Sequence, residues 1–183
     1  ALVPGIAAQC YLFGWGVLFQ LLLTVSTALI CETVILRLRG FAILPSLRDS
    51  SAILTAALIA VAIPPLLPWW MTVLATAFAI TIAKQLYGGL GQNPFNPAMV
   101  GYVLLLVSFP VPMTTWQVPQ SIASQTLSPS DTASIIFNGQ TTGGLTSYQL
   151  KSLVDGTTMP TPLDHLKTES GRGHAMNELV SAP

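Results

Sequence analysis

The chain has 183 residues, of which 51% are hydrophobic and only 8% charged, with a mean hydropathy of +0.64. A water-soluble domain carries charge on about a quarter of its residues, so this composition excludes an ordinary soluble globular protein and points to an integral membrane protein with the lipid bilayer as its surroundings. A net charge of zero leaves no surplus of Lys and Arg to bind phosphates, which excludes nucleic acid as a partner.

Taken in order, Ala1 to Cys31 contains no charge at all. That is too long for one span of about 20 residues, and Gly14-Trp15-Gly16 divides it. The reading is a partial helix over 1–13 and a complete one over 17–38, with Tyr11 and Trp15 at an interface. The first residues already read as the middle of a span and the chain does not begin with Met, so it is expected to be part of a longer protein. Cys10 and Cys31 lie in apolar stretches without a Cys-x-x-Cys spacing or a nearby His, so inert thiols are expected and no metal site.

The connection from Arg37 through Arg39 to Arg48 and Asp49 holds three of the seven basic residues, which places it on the cytoplasmic side. A third span over 51–67 ends in Pro64-Pro65-Leu66-Leu67-Pro68-Trp69-Trp70, where proline stops the helix and paired tryptophans mark the far interface. A fourth runs back over 70–87, and its Lys84 is expected to reach the cytoplasmic side again. A fifth, over 98–111, crosses outward and is closed by Pro110 and Pro112. The charges of this part, Glu32, Arg37, Arg39, Arg48, Asp49 and Lys84, fall mostly near predicted ends, so no intramembrane carboxylate stands out as an ion ligand.

Residues 1–112 therefore read as transmembrane helices and 113–183 as one polar segment outside the cytoplasm. That segment is rich in Ser, Thr, Gln, Gly and Pro and broken by Ser-Pro, Asn-Gly and Thr-Thr-Gly-Gly. It is expected to be mostly irregular, with short helices near 147–154 and 163–169.

Two stretches carry chemistry. Tyr87-Gly88-Gly89-Leu90-Gly91-Gln92-Asn93-Pro94-Phe95-Asn96-Pro97-Ala98 interrupts the helical pattern at or just beneath membrane depth, where irregular backbone must be buried in protein or line a cavity. Its glycines allow close approach to a flat ligand, and Gln92, Asn93 and Asn96 bring uncharged donors and acceptors. On the residues alone, a Gly/Pro turn with an Asx cap opening the next helix explains it as well. The glycines do not form a dinucleotide fingerprint, because they follow an apolar helix and have the wrong spacing.

The second stretch is Asp155-Gly156-Thr157-Thr158-Met159-Pro160-Thr161-Pro162-Leu163-Asp164. Hydroxyls between prolines sit on a restrained backbone with few partners and are presented outward; on composition a surface loop with Asx and Thr turns fits too. His165 and His174 have no paired ligands beside them and are read as solvated.

The pattern Asp-x-x-Thr-x-Pro-Thr resembles the flavinylation motif of the membrane subunits of bacterial Rnf and Nqr complexes. In that motif, Asp-x-x-(Ser/Thr)-x-Ala-Thr, the last Thr is esterified to the phosphate of FMN. The resemblance implies Thr161 as the acceptor of covalent FMN within a motif of Asp155, Gly156, Thr158, Pro160 and Pro162, Pro160 standing where the family has Ala. The Gly-Gly-Leu-Gly-Gln-Asn-Pro-Phe-Asn-Pro-Ala stretch resembles the same subunits, in which this region lies close to a non-covalent flavin, riboflavin in the Nqr relatives. That implies a second flavin near Gly89, Gln92, Asn93, Phe95 and Asn96. The Thr-Pro-Leu-Asp run is closer to the D-type subunit of Rnf than to the B-type subunit of Nqr.

The resemblance implies an all-α polytopic helical bundle in the bacterial inner (cytoplasmic) membrane. It would carry a largely irregular periplasmic segment over 113–183 and lack the later helices of the family. It also implies one electron relay, rather than a complete active site, in an ion-translocating ferredoxin:NAD oxidoreductase that moves Na+ or H+. The implied partners are the other membrane and peripheral subunits, with their flavins and iron–sulfur centres, and a flavin transferase. Two alternatives stay beside it: the B-type subunit of the Na+-translocating NADH:quinone reductase, and a solute-transporter half without a redox cofactor.

Overall fold

The computed structural model describes residues 2–89, 91–117, 119–120, 123 and 127–146. Among these the chain is helical, with one isolated antiparallel bridge, Gln140 to Thr146, and no strand. The central element is α2 (Trp15–Leu38), a long run of Leu, Val, Ile and Ala without Gly or Pro after Gly16. At about 1.5 Å per residue it reaches roughly 36 Å, and its length and apolar composition suffice to cross a membrane. It is preceded by α1 (Val3–Phe13), and the break between them is confined to Gly14, whose φ of 74° and ψ of −149° end one helix and admit the next. Trp15 thus begins α2 and does not lie in a turn.

The buried positions of α2 include Gly16, Gln20, Thr24, Ala28, Glu32 and Leu36, a stripe repeating every four residues. Because a turn takes 3.6 residues, such a stripe winds around the helix, and α2 accordingly packs against α1, α4, α5 and α8. Gln20 donates to the carbonyls of Pro65 and Leu67 at 3.3 and 2.7 Å and accepts from the Thr72 hydroxyl at 2.7 Å. One buried amide thereby fixes the proline-rich bend and the start of the next helix to α2.

A short helix, α3 (Ile43–Arg48), lies in the basic connection. The following helix, α4 (Ser51–Ala62), stops five residues before the expected end at 67. The residue before a proline is pushed out of the α region, and Ile63, before Pro64, has φ −94° and ψ 154°. The chain then turns through residues 63–68 into α5 (Trp69–Phe78), which continues as a π-helix over Ala79–Gln85. There the Leu86 N–H bonds to the Thr81 carbonyl five residues back. Next come α6 (Pro97–Ser108), capped by Asn96, and the short α7 (Pro110–Thr114).

The interior is built largely from small residues: Ala28, Ala52, Ala56, Ala60, Ala75, Ala79, Ala83 and Ala98 are buried, while Leu22, Ile30, Val34, Leu54, Val103 and Val107 face outward. Small residues inside and large apolar ones outside are the pattern of helices packed against each other in lipid, where close approach replaces the hydrophobic drive. Gly101 illustrates it, since a Cβ there would stand 2.8 Å from the Ala75 carbonyl oxygen.

The two ends of this bundle differ. At one end Phe13 meets Trp116, Trp70 meets Phe109 edge-on at 5.2 Å, and Trp69 stacks on Phe137. The other end gathers Arg37, Arg39 and the loop after Gln85, with Arg39 donating to the Gln85 carbonyl at 2.6 Å.

Within the segment expected to be largely irregular, the structure adds α8 (Pro129–Asn138). Its Ser-Pro pair is a start signal, with Ser128 as the N-cap and Pro129 in the first turn, and Gly139 ends it in the left-handed conformation. Ile135 and Ile136 pack on Leu66, Phe19 and Leu23, which seats α8 on the bundle. The stretches 147–154 and 163–169 lie outside the described residues.

Candidate functional site

The glycine-rich loop between the π-helix and α6 opens a cleft of about 320 Å³ against α4, lined by Leu54, Thr55, Leu58 and residues 93–97. Gly88, Gly89 and Gly91 all have φ near 100°, a region that only glycine enters without strain. Asn93 stitches the turn internally, accepting from the Gly91 N–H at 3.0 Å and donating to the Phe95 carbonyl. Asn96 Oδ1 accepts from the Ala98 N–H at 2.9 Å and caps α6. Both asparagines therefore serve the Asx-turn and cap roles, and each carbonyl oxygen keeps a second lone pair for a ligand. Of the residues expected around a non-covalent flavin, Asn93, Phe95 and Asn96 line the cleft; Gly89 and Gln92 belong to the same loop but not to its lining. Phe95 is 70% exposed, so an aromatic face is on offer.

Leu54, Thr55 and Leu58 of α4 form one wall, amides, prolines and an aromatic ring form the other, and the described lining residues carry no charge. Asp155, Gly156, Thr158, Pro160, Thr161 and Pro162 all lie outside the described residues.

The expectation for Lys84 and Glu32 is corrected by the structure. Lys84 does stand in the last turn of the π-helix, near the arginine-bearing end of the bundle, but its side chain turns inward: Lys84 and Glu32 are 2% and 1% exposed, and Lys84 Nζ sits 2.6 Å from Glu32 Oε1. Gln85 Nε2 donates to the same oxygen at 3.1 Å, whereas Glu32 Oε2 is buried and accepts no hydrogen bond among the described residues. Leaving a buried polar atom unpaired costs about 1–3 kcal/mol, and placing a charge pair in a helical interior costs more. The available signal was the spacing in α2: Gln20, Thr24 and Glu32, its buried polar residues, fall on one four-residue repeat. The π-helix lets the neighbouring Lys84 and Gln85 both reach α2, a register shift that sequence periodicity does not announce.

No group of three or more potential metal ligands occurs among the described residues. The sequence profile of the NQR2, RnfD, RnfE family matches residues 1–182. A protein of Tolumonas auensis, named as the D component of an ion-translocating oxidoreductase complex, is 75% identical over 182 residues, covering 100% of this chain and 52% of the relative. A protein of the same name from Salmonella paratyphi B is 54% identical over 183 residues, again 52% of its length. The chain thus spans about half the length of the curated relatives it matches.

Proposed function

Because the chain belongs to the NQR2, RnfD, RnfE family, we propose that it is the flavin-carrying membrane portion of a D-type subunit of an ion-translocating oxidoreductase complex. The observation that carries this reading is the 75% identity, over the whole of this chain, to a protein named as that component; the same name favours the D-type over the B-type alternative and over a solute transporter. The implied activity is electron relay between ferredoxin and NAD, coupled to Na+ or H+ movement, in the bacterial inner membrane. Partner subunits with flavin and iron–sulfur centres complete the path.

In this reading Thr161 carries FMN through a phosphoester, with Asp155 and Thr158 shaping the attachment loop for a flavin transferase. FMN supplies the one- and two-electron chemistry; the protein fixes its position and surroundings. A second flavin, riboflavin or a relative, occupies the cleft at Asn93, Phe95 and Asn96. Two loci are supported by two separate motifs, one before α6 and one far beyond it; the cleft opens at the N-terminal end of α6, and the chain leaves its C-terminal end beside Trp70. Twelve residues of helix separate these points, about 18 Å at 1.5 Å per residue.

The test is a denaturing gel viewed under ultraviolet light, with the full-length protein co-expressed with its flavin transferase. A fluorescent band in wild type that is absent from Thr161→Ala is expected. A dark wild-type band would end the covalent-relay reading.

A further inference from the structure

We propose that the connection between α2 and α4 is a binding surface for an anionic glycerophospholipid. Arg37, Arg39 and Arg48 take its phosphate, and its acyl chains lie on Leu38, Phe41 and Leu44. The inference rests on the bundle spanning a bilayer and on neither flavin assignment.

The way α2 ends creates the surface. Gly40 has a φ of 71°, its N–H bonds to the Arg37 carbonyl at 3.2 Å, and the Phe41 N–H bonds to the Leu36 carbonyl at 3.0 Å. These are the paired bonds of a Schellman stop, which satisfies the last carbonyls of a helix from its own backbone. The arginine side chains are therefore not needed to cap α2. Past the stop the chain enters α3, which packs back on α2 and has no buried residue. Leu44 and Arg48, four positions apart, share its exposed face.

The charges of this surface are largely uncommitted. Arg37 and Arg48 are exposed, and neither side chain forms an ion pair or hydrogen bond among the described residues. Arg39 gives one nitrogen to the Gln85 carbonyl at 2.6 Å and lies 5.4 Å from the centre of the Phe41 ring. That fixes its guanidinium and leaves further N–H groups for an oxygen ligand. Between α2 and α4, three arginines stand against one carboxylate, Asp49, so the surface keeps a positive surplus. Guanidinium matches phosphate with two parallel charge-assisted hydrogen bonds.

Apolar side chains accompany these charges: Leu38 is 81% exposed, Leu44 72% and Phe41 57%. A cation favoured at the C-terminal end of a helix accounts for Arg37 and Arg39, but not for the bare leucines and phenylalanine beside them. Depth favours lipid as the occupant. From Trp15 the 24 residues of α2 rise about 36 Å, against about 30 Å of hydrocarbon. Leu38 therefore falls in the headgroup layer opposite Trp15, where basic pockets at helix ends take anionic lipids. A phosphate carrying two acyl chains satisfies both halves of the surface, whereas a soluble anion satisfies the arginines alone.

The experiment adds dioleoyl phosphatidylglycerol, dioleoyl phosphatidylcholine or inorganic phosphate to the full-length protein and to the purified complex in nonionic detergent, and reads retained lipid by native mass spectrometry. Wild type should hold phosphatidylglycerol more tightly than phosphatidylcholine. Arg37→Gln/Arg48→Gln, which leaves the Arg39–Gln85 contact in place, should weaken phosphatidylglycerol binding about fivefold per arginine removed, the equivalent of about 1 kcal/mol each. Phosphatidylcholine binding should not change, and Arg37→Lys/Arg48→Lys should restore most of the loss. Equal phosphatidylglycerol affinity in wild type and the Gln variant overturns the proposal. Displacement of the lipid by inorganic phosphate at equal concentration also overturns it, because the surface is then a soluble-anion site. A Gln variant that keeps the lipid while a neighbouring subunit leaves the complex does so too, because the surface is then a protein interface. If the Gln variant does not fold, wild type decides alone. Phosphatidylglycerol should raise the unfolding midpoint above that in phosphatidylcholine, an advantage that sodium chloride at about 0.5 M reduces by screening; equal midpoints overturn the proposal.

Discussion

Glu32 and Lys84 lie 52 residues apart in the chain and meet at 2.6 Å inside the bundle, with Lys84 on the π-helix and Glu32 on the polar stripe of α2. Removing one partner leaves an uncompensated buried charge, which typically costs about 3–5 kcal/mol. Lys84→Met should therefore lower the thermal unfolding midpoint of the detergent-solubilised protein markedly. Glu32→Gln/Lys84→Met should recover most of the loss, because two neutral side chains of similar size replace the pair. A single variant as stable as wild type would show that the pair is not desolvated as described.

Close helix contact makes a second prediction. A Cβ on Gly101 would meet the Ala75 carbonyl oxygen at 2.8 Å and Ala79 Cβ at 3.2 Å, whereas one on Gly5 meets nothing within 4 Å. Backbone cannot yield as a side-chain tip can, so Gly101→Ala should destabilise by about 1–3 kcal/mol through overpacking. Gly5→Ala should be neutral or slightly stabilising, by up to about 1 kcal/mol of helix propensity. Unfolding followed by tryptophan fluorescence reads both, since Trp69 and Trp70 sit at the start of α5.

Much of this architecture was legible in the sequence because hydrophobic runs and prolines act locally. The helical class, the division at Gly14 and the proline-directed exit from α6 follow from residues a few positions apart. What escaped depends on distant partners or on atypical backbone. Lys84 reads as a snorkelling end residue until the helix it faces is known to present Glu32. The π-helix over Ala79–Gln85 has no composition of its own. The Ser128-Pro129 pair looked like a breaker, and becomes a start signal only when Ile135 and Ile136 have a surface to cover. At the cleft, the asparagines were recognised as special, but their turn and cap roles became visible only with the loop folded.

The Ser128–Asp131 cap of α8 carries a pH dependence. The Ser128 hydroxyl donates to Asp131 Oδ2 at 2.6 Å and accepts from the Asp131 N–H, while the Thr142 hydroxyl and N–H donate to Oδ1. These bonds, that from Ser128 foremost, hold the Asp131 carboxyl below its ordinary value of 3.8. A depressed folded value means that the stabilisation is present above the unfolded pKa of about 3.9 and is lost as pH falls through the folded one. Amide exchange of residues 139–146 should thus show protection, corrected for intrinsic rate, that is flat from about pH 8 to pH 5 and declines only in stronger acid. Asp131→Asn should reduce that protection and remove the acid-dependent step; an unchanged profile would mean that Asp131 does not tie the turn to α8.

Asn96 allows the structural and ligand roles of the cleft loop to be separated. Its Oδ1 accepts from the Ala98 N–H and caps α6, a contact worth about 1 kcal/mol when lost to Ala. Asp caps as well as Asn does and suits the positive end of the helix, yet it has no amide N–H to donate and brings a negative charge to an uncharged cleft. Asn96→Ala should therefore lower both the unfolding midpoint and the flavin released by acid. Asn96→Asp should keep the midpoint near wild type and still release less flavin, while the covalent fluorescence proposed for Thr161 should stay in both. If Asn96→Asp matches wild type in acid-released flavin, the residue is a helix cap alone and the proposed flavin site in this cleft is lost.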